Sequence, residues 1–387
     1  MGSQRFVYAD YLATTPVDKR VLTEMLPYFS EKFGNASSST HIYGNQALSA
    51  VEKARREVAH IIGAGAREIL FTSGATESIG LALKGVAEYA ESGHIVTCVT
   101  EHEAVLQTCE DLQRKGFSVT FLPVDCHGCI NLSELDEVIN SETIMVSLMA
   151  ANNEVGTFHP VSEIGEICSK YGVLFHCDAT QVIGKVGLDV RECHIDMLSF
   201  SGHKMYGPKG VGALFVRSGK PRVRLKPRAL GGGQERGLRA GTLNVPGIVG
   251  FGAACSLADD LWESESSKLN DLRVSLWSRI KSALPKAQLN GLEVNRLPGN
   301  LSFYVPGLDA VQVVAELPDI ALSLGAACSS NSDVPSHVLT AMGLNIDDVG
   351  STLRIGLGRF STEDEINYIG ERICALAISF GIKEIKN

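Results

Sequence analysis

The chain has 387 residues, of which 44% are hydrophobic and 20% charged, proportions that are ordinary for a globular enzyme. Its formal net charge is −9, which gives no support to generic nucleic-acid binding. The sequence contains no run of 18 apolar residues, and its N-terminus lacks the apolar core of a signal peptide, so we expect neither a transmembrane helix nor secretion.

Ten cysteines without a secretory signal indicate free thiols in a reducing cytoplasm, and we therefore expect a cytoplasmic protein. Cys126 and Cys129 form a Cys-x-x-Cys pair, but a zinc site usually needs a second pair, which the sequence lacks. Because Gly128 suits a turn and the helical pattern LSELDEVI follows, a turn is favoured over a metal or redox site. No metal is expected.

Between residues 60 and 217, short apolar runs alternate with helical patterns. The runs are EILFTS, HIVTCV, SVTFLPV, TIMVSLMAA, VLFHCDA, DMLSFSG and GALFVR. The helical patterns include TESIGLALKGVAEYA, EAVLQTCEDLQRKG and VSEIGEICSKYG. This alternation predicts a mostly parallel sheet covered by helices on both faces. Ligands of such sheets gather at the carboxyl ends of the strands, where the chain places Thr76, His102, Asn153, Asp178 and Lys204.

The segment TSGATES, residues 72–78, ends the first of these strands, turns at Gly74 and begins a helix near Thr76. Backbone N–H groups at a helix N-terminus, together with a hydroxyl, form an anion site that suits phosphate. An ordinary threonine cap produces the same pattern, so this segment alone leaves both interpretations open.

A lysine and a histidine stand together where the apolar run Met197–Phe200 ends in Ser201-Gly202-His203-Lys204. Burying an ammonium group is costly unless it is paired or loses its charge, and lysines in such places often form imines. A surface turn is the alternative for a lone lysine. Asp178 ends a strand 26 residues earlier. Enzymes that use pyridoxal 5′-phosphate (PLP) have an acidic partner for the pyridinium nitrogen of this cofactor. The two strand ends could hold opposite ends of one ring.

The pattern changes after the glycine-rich segment LGGGQERGLRAGT, residues 230–242. A long helix is predicted over 246–284, followed by strands NLSFYV and IALSLG, a helical PSHVLTAMG, strand TLRIGLG and a final helix from Thr362. We place a large domain at residues 16–255 and a smaller α/β domain at 1–15 and 256–387. The segment RSGKPRVRLKPR, residues 217–228, is strongly basic and is either a solvated strand edge or a docking site for a partner.

Separated motifs along nearly the whole chain carry a family resemblance. They are YADYLATTPV, FGNASSSTHIYG, TSGATES, TEHEAV, ANNEVGT, HCDATQ, SGHKMYGPKGVGALFVR, GGGQERGLRAGT, AACSSNSDVPSHVL and RIGLGRFSTEDEI. Together they resemble the PLP-dependent cysteine desulfurases. The resemblance implies the PLP-dependent aminotransferase fold of type I, with a mixed, mostly parallel seven-stranded sheet in the large domain. It also implies conversion of L-cysteine to L-alanine, with transfer of the sulfur as a persulfide to an acceptor protein.

The resemblance assigns roles to residues where the motifs match. Lys204 would hold pyridoxal 5′-phosphate (PLP) as a Schiff base, Asp178 would bind the ring nitrogen, and His102 would stack on the ring and shuttle protons. The further cofactor contacts are Ala75, Thr76, Ser201 and His203 at the phosphate, Asn153 and Gln181 at the phenolic oxygen, and Thr242 at the phosphate of the neighbouring subunit of a homodimer.

The resemblance also assigns a substrate clamp and a nucleophile. Asn35 and Arg354 would bind the substrate carboxylate, since the fork of an arginine matches a carboxylate; a salt-bridged structural arginine is the alternative for Arg354. Cys328 would be the nucleophile that forms the persulfide. It is followed by small polar residues up to Pro335, a composition that suits a loop.

The nucleophile segment reads Ala-Ala-Cys-Ser-Ser, where housekeeping members of the family usually read Ser-Ala-Cys-Thr-Ser. The pathway therefore stays open between iron–sulfur assembly, tRNA thiolation and phosphorothioate modification of DNA. A selenocysteine lyase and a non-catalytic scaffold for sulfur transfer are the alternative functions. We expect no membrane partner and no direct binding of nucleic acid.

Overall fold

The computed structural model describes residues 6–219, 222–325 and 335–381. Its strands, in chain order, are β1 (Val7–Tyr8), β2 (Ile69–Thr72), β3 (His94–Cys98), β4 (Ser118–Leu122), β5 (Thr143–Met149), β6 (Leu174–Asp178), β7 (Met197–Ser201), β8 (Gly212–Val216), β9 (Gln288–Leu289), β10 (Asn300–Tyr304), β11 (Ile320–Ala321), β12 (Ser323–Leu324) and β13 (Thr352–Gly356).

The α-helices are α1 (Lys19–Met25), α2 (Pro27–Ser30), α3 (Ile42–His60), α4 (Ala75–Ala90), α5 (Glu103–Arg114), α6 (Leu132–Val138), α7 (Val161–Tyr171), α8 (Val245–Ala283), α9 (Ala310–Glu316), α10 (His337–Ala341), α11 (Ile346–Gly350) and α12 (Glu363–Ser379). Short 3₁₀ turns lie at Ala66–Glu68, Gly202–Lys204 and Glu235–Gly237.

One sheet contains seven strands in the order β2-β8-β7-β6-β5-β3-β4. Strand β8 pairs antiparallel with β2 and β7, and the remaining pairs are parallel. The predicted fold class, a mixed and mostly parallel seven-stranded sheet, is confirmed. All seven apolar runs between residues 60 and 217 form strands of this sheet.

Helices cover both faces of this sheet, as the alternating pattern predicts. Along β3, Val96 packs into the core that contains Val51 of α3 and Phe251 of α8, whereas its neighbour Ile95 packs into the core that contains Ile79 of α4. Successive side chains of a strand point to opposite faces, so a run that is apolar at every position supplies both cores.

A second group of strands lies outside the large sheet. Strands β12, β13, β10 and β9 form an antiparallel sheet, and β1 pairs in parallel with β11. The predicted strand IALSLG is therefore divided between two sheets, since β11 and β12 pair with different partners. A separate core here contains Val7, Leu276 and Phe303. The two cores support a division into two domains, although Leu12, on the small-domain side of the predicted boundary, packs into the first core. The boundaries at residues 15 and 255 stay a prediction.

Helix α8 runs through both cores without interruption, contributing Phe251 to one and Leu276 to the other. Its bounds match the long helix predicted over 246–284. No helix among the described residues is both long enough and apolar enough to cross a membrane.

The basic segment is described at residues 217–219 and 222–228, and residues 222–228 run along α4. Val223 is buried, whereas Arg222, Arg224 and Lys226 are exposed on either side of it and of Leu225. The Arg224 guanidinium donates to the Tyr89 hydroxyl at 2.9 Å, and Arg228 pairs with Glu88. Residues 222–228 form no strand, so they are solvated but are not a strand edge. Helix α4 engages two of these cations, and a docking site for a partner stays a prediction.

Candidate active site

A cavity of about 550 Å³ opens at the carboxyl ends of the parallel strands. Ten of the predicted site residues line it: Ala75, Thr76, His102, Asn153, Asp178, Gln181, Ser201, His203, Lys204 and Arg354. They come from the ends of several strands and from the residues that follow them, which is where a sheet of this kind exposes side chains to a ligand.

Lys204 lies in the 3₁₀ turn Gly202–Lys204, directly after β7. Its Nζ donates to the carbonyl oxygens of Leu12 and Ala13, at 2.7 Å and 2.8 Å. The carbonyl oxygen of His203 in turn accepts from the backbone N–H and the hydroxyl of Thr15, both at 3.0 Å. The N-terminal segment 12–15 thus holds the lysine turn in place.

Asp178 ends β6, the strand that pairs in parallel with β7. It is buried, and its Oδ1 accepts from the backbone N–H and the hydroxyl of Thr180. A carboxylate has a second oxygen, and Asp178 lines the same cavity as Lys204. Neighbouring strand ends therefore present a carboxylate and an amine to one space, as expected for the two ends of one ring.

Helix α4 starts at the cavity with Ala75 and Thr76, after Gly74 at φ +154°. That φ favours glycine, and a Cβ built there would lie 3.6 Å from the Ser201 hydroxyl oxygen. The N–H groups of the first turn of this helix and the hydroxyls of Thr76 and Ser201 form a donor set for an anion.

The electrostatic potential around His203 is positive, because lysines lie near it. Burial lowers the pKa of the His203 imidazole to about 4, with further lowering from the charges of Lys204, Lys209 and Lys185. Its Nδ1 lies 3.0 Å from the hydroxyl oxygen of Thr14. Lys204 and Lys209 line the same cavity as the start of α4, and their charges favour a bound phosphate there.

His102 caps helix α5 and is exposed to the cavity. Its Nδ1 accepts from the backbone N–H of Ala104 at 3.0 Å. Because Nδ1 serves as the acceptor, the neutral imidazole carries its proton on Nε2. His102 therefore offers the cavity a ring face and a nitrogen that can donate a proton.

Arg354, on β13, is 4% exposed and contacts three groups. One Nη donates to the carbonyl oxygen of Asn153 at 3.2 Å; the other contacts the Asp10 carboxylate at 3.1 Å and the Ser323 hydroxyl at 2.9 Å. Its buried Nε has no hydrogen-bond partner among the described residues. Arg354 is thus salt-bridged, as in the structural alternative, and still has donor capacity at the cavity.

The side-chain amide of Gln181 is held on both sides. Its Nε2 donates to the Leu12 carbonyl oxygen at 3.1 Å, and its Oε1 accepts from the Lys185 Nζ at 3.0 Å. Leu12 is therefore shared, because the same oxygen also accepts from Lys204. Gln181 lines the cavity, as expected for a contact of the cofactor ring.

Two of the predicted site residues that the structure describes do not line the cavity. Asn35 is exposed, accepts from the backbone N–H of Ser37 and does not line the cavity. Thr242 is also exposed and away from the cavity of its own chain. Cys328 lies outside the described residues.

Several contacts of the site have no signal in the sequence. The carbonyl oxygens of Leu12 and Ala13 are backbone groups, which every residue carries, and they lie far from Lys204 along the chain. Thr180 could have been found, since a threonine two residues after a strand-end aspartate is a common partner for it. Sequence reasoning assigns no role to Lys185 or to Lys209, although Lys209 lies within the motif SGHKMYGPKGVGALFVR.

The donor set fits PLP. A buried carboxylate suits a protonated ring nitrogen, an amine suits an aldehyde, and a helix N-terminus with two hydroxyls suits a phosphate. All three lie around one cavity. The described residues contain no group of three or more His, Cys, Asp or Glu that could hold a metal ion.

Comparison with known proteins gives the same family throughout. The sequence model described as aminotransferase class-V matches residues 7–369. A protein named cysteine desulfurase IscS, from Anaeromyxobacter sp. (strain Fw109-5), is 51% identical over 365 residues, covering 94% of this chain and 90% of the relative. A protein named cysteine desulfurase, from Mus musculus, is 48% identical over 373 residues, covering 95% of this chain and 80% of the relative.

Solved structures agree with the fold. A structure described as a NifS-like protein superposes with a TM-score of 0.90 at 40% identity, covering 97% of this chain and 100% of the other. A structure of SspA in complex with cysteine has a TM-score of 0.82 at 39% identity, covering 92% of this chain and 100% of the other.

Proposed function

This chain belongs to the aminotransferase class-V family and is a PLP-dependent cysteine desulfurase, and we propose that Lys204, Asp178 and the start of α4 hold its cofactor. Lys204 would bond covalently to the aldehyde carbon, Asp178 would pair with the ring nitrogen, and Ala75, Thr76, Ser201 and His203 would bind the phosphate. The observation that carries this assignment is that the amine and the carboxylate end neighbouring strands and line one cavity.

When bound, PLP supplies an electron sink that stabilises negative charge on the substrate Cα. The free amine of Lys204 would remove the Cα proton of the substrate and later return one. The carbonyl oxygens of Leu12 and Ala13 keep the released amine beside the cavity. His102 covers one face of the cavity and donates from Nε2, and Asn153 and Gln181 orient the ring through its phenolic oxygen.

Arg354 binds the substrate carboxylate in this scheme, and Asn35 completes the clamp. The buried Nε of Arg354, which has no hydrogen-bond partner among the described residues, supports a ligand at this guanidinium. An anion bound here would share the positive charge of Arg354 with the Asp10 carboxylate or would compete with that carboxylate for it. Asn35 belongs to an exposed turn, so its role depends on the same surface as the dimer proposed below.

Cys328 is the proposed nucleophile. Its thiolate attacks the sulfur of the bound cysteine, an S–S bond forms, and the C–S bond breaks. The electron pair of that bond stays on the substrate carbon, which takes up a proton and leaves as L-alanine. The persulfide on Cys328 then passes its outer sulfur to a thiol of an acceptor protein.

The described residues on either side of segment 326–334 support this role. Before it, the Ser323 hydroxyl contacts Arg354 and Asp10. After it, the Ser336 hydroxyl donates to the Glu154 carboxylate at 2.5 Å, next to Asn153 of the cavity. The described residues on both sides of this segment therefore lie beside the active site.

The buried cysteines are poor candidates for the nucleophile. Six of the nine described cysteines are buried. Burial raises the pKa of the thiols of Cys98, Cys109 and Cys168 to about 12. The thiolate is the reactive form, so these side chains are inert at neutral pH. The described cysteines are free thiols, which also supports the proposal that the enzyme works in the reducing cytoplasm.

A homodimer is the proposed assembly, with Thr242 reaching the phosphate of the neighbouring subunit. Its support is an apolar patch, which we define as Leu26, Phe29, Phe33, Ile42 and Tyr43. Their exposed fractions run from 48% for Tyr43 to 64% for Phe33 and Ile42. Apolar side chains clustered in this way commonly mark an interface between proteins.

The test of the cofactor site is Lys204→Ala, with Lys209→Ala as the control, since Lys209 lines the same cavity. The purified wild-type protein should be yellow, with an absorbance band at about 400 nm from the covalently bound cofactor. Lys204→Ala should lose that band and all release of alanine from L-cysteine, whereas Lys209→Ala should keep the band. Normal turnover by Lys204→Ala would overturn the assignment, and a colourless wild-type protein would support a scaffold instead.

A further inference from the structure

Lys185 is a second lysine at the site, behind the cofactor cavity. It lies four residues after Gln181, is partly buried, and donates from its Nζ to the Gln181 Oε1 at 3.0 Å. It borders a smaller enclosed space that lies beside the cofactor cavity and is lined also by Leu12, Tyr206 and Glu265. Neither the cofactor contacts nor the substrate clamp described above uses this lysine.

The two neighbours of Gln181 determine which way its amide faces. The Leu12 carbonyl oxygen can only accept a hydrogen bond, so the amide atom facing it is the nitrogen. A lysine amine donates, so the amide atom facing Lys185 is the oxygen. An amide nitrogen carries two N–H groups, and Leu12 takes one of them. The second is available to an acceptor in the cavity.

The hydrogen bond from Lys185 does not depend on its charge. Burial, with a further contribution from the Lys204 charge, lowers the pKa of the Lys185 amine to about 7. A neutral amine still has N–H groups to donate, so the bond to Gln181 persists on both sides of that pH. The titratable groups nearest to Lys185 are Lys204 and His203 on the cavity side, and Tyr11, Tyr206 and Glu265 around the enclosed space.

We propose that Lys185 is a positioning residue for the cofactor, because it holds the oxygen of Gln181 and so directs the amide nitrogen at the ring oxygen. This inference rests on the proposed function, in which Gln181 contacts the phenolic oxygen of PLP. Without Lys185, the buried Oε1 of Gln181 loses its donor and turns towards another one, and the N–H directed at the ring is lost. Lys185 itself does not touch the cofactor.

The experiment compares Lys185→Met, which has a similar length but no donor, with Lys185→Arg, which keeps the donor and the charge. Two quantities are measured on folded protein: the dissociation constant of PLP from the reconstituted apoenzyme, and the pH midpoint of the change in its absorbance band. An N–H donated to the ring oxygen favours its anionic form. Lys185→Met should therefore weaken PLP binding by roughly tenfold, about one hydrogen bond, and raise the pH midpoint. Lys185→Arg should stay near wild type.

A double-mutant cycle separates the amide from a direct effect of the lysine charge. If Lys185 acts through Gln181, Lys185→Met should change neither quantity further in a Gln181→Leu background. An effect of the same size in that background would overturn the proposal, as would wild-type values for Lys185→Met. Lys170→Met, at an exposed lysine of α7, is the control for a general effect of losing a lysine.

Gln181→Glu is a second variant for the same two measurements, to be used if Lys185→Met does not fold. A glutamate presents oxygen at both positions and has no N–H for the ring, so it should reproduce the weaker binding and the higher pH midpoint. Wild-type values for Gln181→Glu would overturn the proposal. Failure of the proposed function looks different, because wild-type protein would then bind no PLP or release no alanine from L-cysteine.

Discussion

A thiol and a hydroxyl at position 328 differ chiefly in acidity and polarizability. A free cysteine has a pKa of about 8.5, so a useful fraction is thiolate near neutral pH, whereas a serine hydroxyl is essentially un-ionised. Attack on the substrate sulfur needs a thiolate. Loading of the cofactor needs neither a thiol nor a hydroxyl at this position. A single substitution can therefore separate the two halves of the reaction.

Cys328→Ser should keep the absorbance band and bind L-cysteine, but its release of alanine should fall by at least about a hundredfold. Mass spectrometry of the wild-type protein after cysteine treatment should show an increase of about 32 Da, one sulfur atom, on the peptide that contains Cys328. Cys126→Ser, at an exposed cysteine, is the matched control and should behave as wild type. The same adduct on another cysteine would remove Cys328 from this role.

At the scale of elements, the turn between β2 and α4 depends on how closely β8 approaches it. Gly212 pairs with Thr72 of β2 and with Ser201 of β7, so it lies between the two strand ends next to the proposed phosphate contacts. A Cβ built on Gly212 would lie 2.7 Å from the Cα of Gly74 and 2.6 Å from the Phe200 carbonyl oxygen. Both neighbours are backbone atoms, which cannot move aside as a flexible side chain can.

Gly212→Ala should therefore push the α4 turn away from Ser201, lowering stability by about 1–3 kcal/mol and weakening PLP binding at the same time. Gly80→Ala, within α4, is the control, because a Cβ there meets nothing within 4 Å. That change should stabilise the helix by up to about 1 kcal/mol and leave PLP binding unchanged. Thermal unfolding and PLP titration of the wild type and both variants test this. Equal PLP binding by the three proteins would contradict the prediction.

The same elements show what the sequence can predict. Asp178 and Lys204 were found because apolar runs end at them, and a parallel sheet brings the carboxyl ends of its strands to one edge. The carbonyl oxygens that hold Lys204 could not be found, since Leu12 and Ala13 offer only backbone groups whose position depends on the whole fold. Pairing also divided IALSLG between two sheets, because two-residue strands carry too short a pattern to reveal their partners.

At the scale of the whole molecule, the cavity of one chain lacks two of its predicted contacts, and the chain exposes a large apolar surface. Thr242 and Asn35 are exposed and away from the cavity of their own chain. Phe29 and Phe33 of the apolar patch are 62% and 64% exposed, and Phe33 stacks on Tyr43 with ring centroids 5.5 Å apart. A second copy would cover the patch and could supply the missing contacts.

A substitution that prevents two chains from associating should therefore also weaken PLP binding. Phe29→Glu combined with Phe33→Glu places two charges in the proposed interface, where desolvation makes an unpaired charge costly. We expect this variant to sediment as a monomer at concentrations where the wild type is a dimer, and to bind PLP more weakly because Thr242 no longer reaches a neighbouring phosphate. Val294→Glu, at a residue that is 72% exposed and outside the patch, should change neither property. A monomer with wild-type affinity for PLP would show that each chain completes its own site, and a dimer that survives both charges would place the interface elsewhere.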